Sequence, residues 1–485
     1  MKRILCVSLL LFTACAVGPG YERPEMEVPE RCRASVEPEA AASFADLAWW
    51  ELFRDPVLRG LIASSLEGNL DLQIAVQRSE QARQQVGATR AALLPQIGYQ
   101  GSARRSRYPI NLLSESQRRF NSFLGALDFA WEIDLWGRIR RAGQAARAEM
   151  LASEAGQRGV ILSLVSQVAT LYFQLLELDA ELRIAEEARE TFQETLDLFN
   201  RRYEAGVASK LEVSRAAAAR AQADSWVPQI LMAIVAVENQ LSVLQGRIPG
   251  PIPRGAKLAE QHLPEIPPGL PSQLLERRPD IESAEQSLVA ANAEIGVAVG
   301  NFLPRIGLSA LWGGASHDLS DLTKGSTSIW NLAGEMAGPL FQGGFLLAQY
   351  KAQRAVWEEA KANYERTALI AFAEVSDTLT ARLRLAEERR AQSVRSEQLQ
   401  ISVKLSLARY RQGLANYFEV LEAEQDLFPA RLDLAQTRFE ELVSVVDLYR
   451  ALGGGWELGL QWQQEAQQQV GSERPDPGEE GSRSP

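Results

Sequence analysis

Leu94-Pro95-Gln96-Ile97 and Leu303-Pro304-Arg305-Ile306 each open a short run of alternating residues, and they stand 209 positions apart. Further along, Tyr203-Glu204-Ala205-Gly206 with Glu212-Val213 returns as Tyr410-Arg411-Gln412-Gly413 with Glu419-Val420, at an offset of 207. A turn glycine, the tyrosine before it and the Glu-Val pair after it, repeated at nearly one separation, mark an internal duplication. Each copy carries two alternating segments followed by a very long proline-free stretch. That order suits a tube better than a catalytic pocket.

The alternating segments read as strands. Phe123, Gly125, Leu127, Phe129, Trp131 and Ile133 alternate with Ser122, Leu124, Ala126, Asp128, Ala130 and Glu132, one face apolar and the other small or polar. Ile97, Tyr99, Gly101 and Ala103 form a weaker strand before them, and Pro109 to Gln117 reads as the loop between. The second copy offers Ile306, Leu308, Ala310 and Trp312, a polar loop from Ser316 to Ser326, then Trp330, Leu332, Gly334 and Met336. Each copy therefore supplies one hairpin. Four strands of this pattern cannot span a bilayer as an open sheet, because edge N–H and C=O groups would be unsatisfied in hydrocarbon. The sheet must close between chains. Three chains of four strands give a barrel of twelve, an even number in the outer-membrane range; geometry leaves other counts open, as it does soluble hairpins packed on the helices.

No proline occurs between Pro109 and Pro228, nor between Pro339 and Pro429. Helix can run from Gly137 to Tyr203 and from Phe345 to Gln412, about 65 residues or roughly 100 Å each at 1.5 Å per residue. Such lengths do not fit inside a compact domain. Phe192, Leu196, Phe199 and Tyr203 recur three and four apart, and Ala216 to Ala219 allows close helix approach, so these are coiled-coil faces. Gly206 and Gly413 each read as a helix C-cap at a tight reversal.

The resulting organisation of the 485 residues is a signal peptide at 1–14, an extended leader at 15–48 and a first repeat at 49–247. That repeat holds a helix, a hairpin at about 96–135 and long helices at about 137–246. A Pro-rich connector spans 248–271; the second repeat, 272–467, has its hairpin at about 304–340 and long helices at about 345–452; and 468–485 is a tail of disordered composition. Asp55-Pro56 fits an N-cap with Pro at the first helical position of a helix running to about Ala91. Lys2 and Arg3, the apolar stretch Ile4 to Phe12 and the small residues Thr13 and Ala14 before Cys15 make a charged region, a short core and a processing site. The core is too short for a spanning helix.

Composition removes whole classes of function. A net charge of -11 and the lack of a Lys/Arg stripe argue against nucleic acid. The two histidines, His262 and His317, stand away from any Cys or helix-spaced carboxylate pair, so no metal and no cofactor is expected. Neither a nucleophile elbow, an HExxH helix nor a phosphate-cradling loop is present, and an enzyme is not expected. With Cys6 removed and Cys15 modified, Cys32 alone would remain, leaving no intramolecular disulfide.

Leu11-Phe12-Thr13-Ala14-Cys15 resembles a bacterial lipobox, departing from it at Phe12, with lipid on Cys15; an ordinary secretory cleavage is the alternative. Together with Cys15-Ala16-Val17-Gly18-Pro19, Tyr21-Glu22-Arg23-Pro24, Trp49-Trp50 with Asp55-Pro56, Arg277-Arg278-Pro279-Asp280, the two Leu-Pro-x-Ile strand starts, Asp134-Leu135-Trp136-Gly137 and Tyr410-x-x-Gly413, the chain resembles the TolC-like outer-membrane efflux protein family, in its lipoprotein (NodT/OprM-type) branch. The resemblance implies a mainly helical homotrimer, lipid-anchored in the outer membrane, with a β-barrel there and an α-helical barrel in the periplasm. It also implies a periplasmic adaptor and a resistance–nodulation–division pump as partners, and a substrate among drugs, dyes, solvents or metal ions. A type I secretion conduit shares the fold. By the same resemblance the gate lies on Phe418, Glu419 and Glu422, the glutamates standing where many relatives have Asp, and Tyr203, Tyr410 and Arg411 hold the helix ends closed. Rings of acidic side chains would favour cations.

Overall fold

A computed structural model of the chain describes residues 16–26, 52–107, 119–261 and 277–454. The signal peptide, Cys15, Cys32, Trp49, Trp50, His262, most of the loop between the first two strands, the end of the connector and the tail lie outside the described residues. In chain order the elements are α1 (Pro56–Gly68), α2 (Leu70–Ala91), β1 (Gln96–Arg107), β2 (Arg119–Ile133), α3 (Arg138–Glu204), α4 (Lys210–Leu244), α5 (Pro279–Gly300), β3 (Arg305–Ser316), β4 (Ser328–Ala337), α6 (Phe345–Arg411) and α7 (Tyr417–Ala451). The duplication is exact in the long helices: α3 and α6 both have 67 residues, α4 and α7 both have 35, and 345 − 138 equals 417 − 210, which is 207. The strands keep the offset of 209 read from the Leu-Pro motifs, since 305 − 96 and 328 − 119 both give it.

The chain divides into two compact units. The first, drawn from Met1–Met26, Gln77–Ala155 and Ser283–Arg366, holds the sheet. Its four strands run antiparallel in the order β1-β2-β3-β4, which leaves one edge of β1 and one edge of β4 unpaired among the described residues. Register aligns the two parities across all four strands. One level reads Tyr99, Leu127, Trp312, Trp330; the levels towards the helices read Ile97, Phe129, Ala310, Leu332 and then Trp131, Leu308, Gly334. This face is apolar and bare: Tyr99 is 89% exposed, Trp330 77% and Leu332 73%. On the other parity lie Gln96, Gln100, Asp128, Asn331 and Glu335, and the Asp128 carboxylate rests on Gly98. From Phe123 to Ile133 the apolar face spans ten residue steps, about 33 Å along a strand and about 25 Å in height at a tilt near 40°, the thickness of an outer-membrane band.

A leader strap is fastened to the same unit. The Val17 N–H donates to the carbonyl of Trp136 (3.0 Å) and Arg141 donates to the carbonyls of Val17 (2.9 Å) and Gly18 (3.2 Å). Asn292 donates to the Pro19 carbonyl (3.2 Å), and Tyr21 and Arg23 both reach Glu285, at 3.1 and 3.0 Å. Gly18, at φ +101°, lies so close to α5 that a Cβ would stand 2.5 Å from the Cα of Gly296.

The second unit, from Glu27–Val76, Gly156–Glu282 and Thr367–Pro485, contains the main core. Leu58, Ile62, Leu175, Leu241 and Val446 are fully buried there, each such side chain worth about 1.5–3 kcal/mol of burial. The N-cap Asp55 organises its polar part. The carboxylate accepts from Val57 N–H (2.8 Å), Tyr172 Oη–H (2.8 Å), Ala256 N–H (3.2 Å) and Gln261 Nε2 (2.8 Å). Burial alone would raise its pKa, but the hydrogen bonds from Gln261, Tyr172 and Val57 outweigh burial and lower it. A carboxylate held below its ordinary value stabilises the fold above that value, and the contribution is lost as pH falls. Arg278 is buried, donates to both Asp280 oxygens (3.0 and 2.7 Å) and to the Ala451 carbonyl (2.9 Å), and pairs with Glu374 at 2.8 Å, so the Arg-Arg-Pro-Asp stretch ties the start of α5 to the end of α7 and the middle of α6.

One feature differs from the sequence-level expectation. The helix implied up to Ala91 is broken at Asn69, because its side chain accepts from Leu72 N–H (2.8 Å) and donates to the Leu244 carbonyl (3.0 Å), ending α1 and starting α2. Pro228 and Pro429 sit inside α4 and α7. Each lies within two residues of the Trp226–Phe428 stack, whose rings are 3.7 Å apart and nearly parallel at 6°, and this packing holds the two helices through the missing N–H donors.

The parity assignment is tested by charge. Leu127→Arg, near the middle of the apolar band, is expected to cost about 2–4 kcal/mol in urea titrations of the detergent-solubilised assembly, whereas Ala130→Ser on the other face leaves the midpoint unchanged. Ala126, the more obvious small residue of that face, is unsuitable as the control: it is 8% exposed, since the β3 backbone at Gly313 lies against it.

Candidate functional site

The ends of α3 and α6 and the starts of α4 and α7 meet in the second unit. Both reversals have the same construction. Gly206 (φ +71°) lets Val207 N–H reach the Arg202 carbonyl at 2.9 Å, and Gly413 (φ +74°) lets Leu414 N–H reach the Arg409 carbonyl at 2.9 Å, six-to-one closures that require a left-handed residue. After the turn, α4 is started by a capping box between Ser209 and Glu212. α7 is started by Asn416, whose side chain accepts from Glu419 N–H at 3.3 Å.

Beneath the turns lies a separate apolar cluster of Phe192, Phe199, Val213, Ala216, Ala219, Ala223, Tyr417, Val420 and Leu421. Tyr417 is its centre: its ring meets Phe199 edge-on at 4.4 Å and Tyr410 at 5.4 Å, and its hydroxyl bonds Thr195 Oγ1 at 2.9 Å. Tyr410 in turn accepts a hydrogen bond from Arg202, whose guanidinium lies 5.3 Å from the Tyr410 ring centre. This Tyr410–Arg202 contact bridges the two repeats. Sequence reasoning missed Arg202, although it occupies the position equivalent to Arg409 (409 − 202 = 207).

The remaining residues singled out from sequence fall into two groups. Tyr203 is 46% exposed and stacks under the Lys210 ammonium (5.6 Å), not with Tyr410. Arg411 is exposed and, among the described residues, makes no ion pair. On α7, residues 417, 420, 421 and 423 are buried, while Phe418, Glu419 and Glu422 are exposed on the opposite side. Phe418 carries the Arg215 guanidinium over its ring at 4.3 Å, Glu419 pairs with Arg409 at 3.3 Å, and Glu422 takes no ion pair among the described residues. One further carboxylate went unnoticed in the sequence. Glu424 falls seven residues after Tyr417 on the inward stripe, and its Oε2 is buried with no hydrogen-bond partner. Burial pushes its pKa up to about 7, contact with the Tyr417 hydroxyl offsetting only part of that rise.

Among the described residues no group of three or more His, Cys, Asp or Glu side chains could hold a metal ion. The observed parts are a lipid-patterned sheet, helices roughly 100 Å long and a paired reversal far along the chain from the strands; they define a membrane channel. A family profile described as outer membrane efflux protein matches residues 61–247 and 270–454. The toluene efflux pump outer membrane protein TtgC of Pseudomonas putida is 35% identical over 461 residues, covering 93% of this chain and 95% of that protein. The cation efflux system protein CusC of Escherichia coli O157:H7 is 34% identical over 458 residues, covering 93% and 98%. Among solved structures, the open state of the MtrE outer membrane channel from Neisseria gonorrhoeae aligns with a TM-score of 0.83 at 30% identity, over 91% of this chain and 99% of that one. The chain belongs to the outer membrane efflux protein family, and it is an outer-membrane efflux channel that extends into the periplasm.

Glu424 is expected to make the packing beneath the reversal sensitive to pH. A carboxyl group with a raised pKa in the folded state stabilises that state fully below its ordinary value, near 4.5, and loses the contribution as pH rises through about 7. Raising pH from 5 to 8 is therefore expected to loosen the packing around Tyr417, read as lower amide protection factors, each taken against the intrinsic exchange rate at that pH, in the first turns of α7, and Glu424→Gln is expected to remove that dependence.

Proposed function

We propose that the chain is the exit duct of a tripartite efflux system, a conduit with no chemistry of its own. Three copies form the duct, a periplasmic adaptor and a resistance–nodulation–division pump deliver small toxic compounds into it, and the helix-reversal end is its gate. The single observation that carries the gate is the burial pattern on α7. Phe418, Glu419 and Glu422 turn away from their own chain's core in the first two turns after a capped reversal, where three copies around one axis would bring nine such side chains together. Like charges repel when that ring narrows, so other contacts must hold it closed. Tyr410 with Arg202 is the holding contact within a chain, and Arg411 is left to reach a neighbouring copy.

The gate is tested in planar bilayers. Arg202→Ser with Tyr410→Phe is expected to raise single-channel conductance severalfold. Glu419→Gln with Glu422→Gln is expected to weaken cation preference and block by multivalent cations, in the manner of other acidic pore rings. Unchanged conductance in the first variant together with unchanged selectivity in the second would move the constriction to the lumenal strand residues, Asp128 first. A type I secretion conduit of the same architecture is the alternative, and the inner-membrane protein that co-purifies separates the two.

We also propose that Cys15 is lipidated. Incorporation of labelled palmitate should disappear in Cys15→Ser, while export persists in part when a cleavable signal replaces the original one, because the strands themselves span the membrane. Retained label in the variant would refute the lipid.

A further inference from the structure

At its outer end the first hairpin changes character. The turn end of β1 and β2 points away from the helices, which leave the sheet at Ile133 and Ala337; in a channel whose helices are periplasmic, that end is the extracellular one. Between Gly101 and Ser122 the sequence holds five arginines (104, 105, 107, 118 and 119) and one acidic residue, Glu115, in a chain whose net charge is -11. Three of the arginines lie on β1 and are exposed at Arg104, Arg105 and Arg107, and among the described residues none of them enters an ion pair.

Strand parity separates the three. Arg105 and Arg107 continue the series Ile97, Tyr99, Gly101, Ala103, the bare apolar face, whereas Arg104 falls with Gln96, Gln100 and Ser102 on the lumenal face. Opposite Arg105 in the register is Asn121, and opposite Ala103 is Phe123, the last apolar residue of β2 on that face. Arg105 therefore stands one step beyond the apolar band and Arg107 the next, about 7 Å further along the strand. Two guanidinium groups directly above a lipid-facing surface suit one kind of ligand, an amphiphile with phosphate next to acyl chains. Guanidinium binds phosphate in bidentate fashion, and the apolar face below offers Tyr99 and Leu127 to the chains.

We propose that Arg105 and Arg107 form a binding site on the outer face of the barrel for the phosphate groups of an anionic glycolipid of the outer leaflet. The site holds the channel at a fixed depth, since the cations sit at the level of the headgroups when the band spans the hydrocarbon.

The test uses the full-length, detergent-purified channel and a bisphosphorylated acyl-disaccharide, with its dephosphorylated form as the comparison, read by native mass spectrometry. Wild type is expected to prefer the phosphorylated form by at least about tenfold, the size of one or two charge-assisted hydrogen bonds. Arg105→Ser with Arg107→Ser should lose that preference, Arg105→Lys with Arg107→Lys should keep part of it, and the lumenal Arg104→Ser should keep all of it. Should the serine pair fail to assemble, the lysine pair and Arg104→Ser still decide. Equal binding of the two glycolipids by wild type, full retention in the serine pair, or an equal loss in Arg104→Ser would each overturn the site. Effective competition by millimolar inorganic phosphate would place the ligand in solution instead of the leaflet and overturn it as well.

Discussion

Hydrocarbon offers no hydrogen bonds, so every backbone N–H and C=O that enters it must find a partner in protein. The four strands of one chain satisfy this at three junctions and fail at two edges, those of β1 and β4. The fold of a single chain is therefore unfinished by construction, and other copies complete it. The long helices carry the same incompleteness into water: Met232 of α4 is 67% exposed, Leu369 of α6 62% and Leu405 60%, far more bare apolar surface than a solitary helical hairpin would keep. Closing the barrel and covering these helices both call for other copies. A chain that has not found its partners has neither a stable sheet nor a covered helix.

Much of this was legible in the sequence because it rests on local periods. Strand parity reads directly from Phe123 to Ile133, and an uninterrupted helix reads from the missing prolines. The duplication fixes where the second copy must do the same. What escaped reading depends on distant partners. Asn69 looks like any polar residue in a helix until Leu244, 175 residues away, takes its amide hydrogen. Asp55 was visible as an N-cap, but its bonds to Tyr172, Ala256 and Gln261 join segments that no periodicity connects.

At the helix reversals the sequence located the turns and the exposed face of α7 but not the internal ties. Arg202 and Arg411 both neighbour a repeated tyrosine, and only the packing of α3 against α6 distinguishes which one reaches Tyr410. The duplication has diverged at this point. Where the first copy has Lys210 over Tyr203, the second has Tyr417 against Tyr410, so one hairpin ends in a cation on an exposed ring and the other in an aromatic pair of which Tyr417 is buried and Tyr410 half-buried. Two copies of one pattern thus differ in how their last ring is covered. Glu424 could have been found, since a carboxylate seven residues after Tyr417 breaks an otherwise apolar stripe.

The strap from Val17 to Arg23 has a consequence of its own. Val17 and Gly18 are fixed by Trp136, Arg141 and Gly296 beside the helical end of the sheet, and Asn292 and Glu285 hold Pro19, Tyr21 and Arg23. An extended segment with no ladder of its own is thereby given a single course along α3 and α5. It behaves as a seam between those helices, and a side chain added at Gly296 would be felt by the strap before it was felt by the sheet.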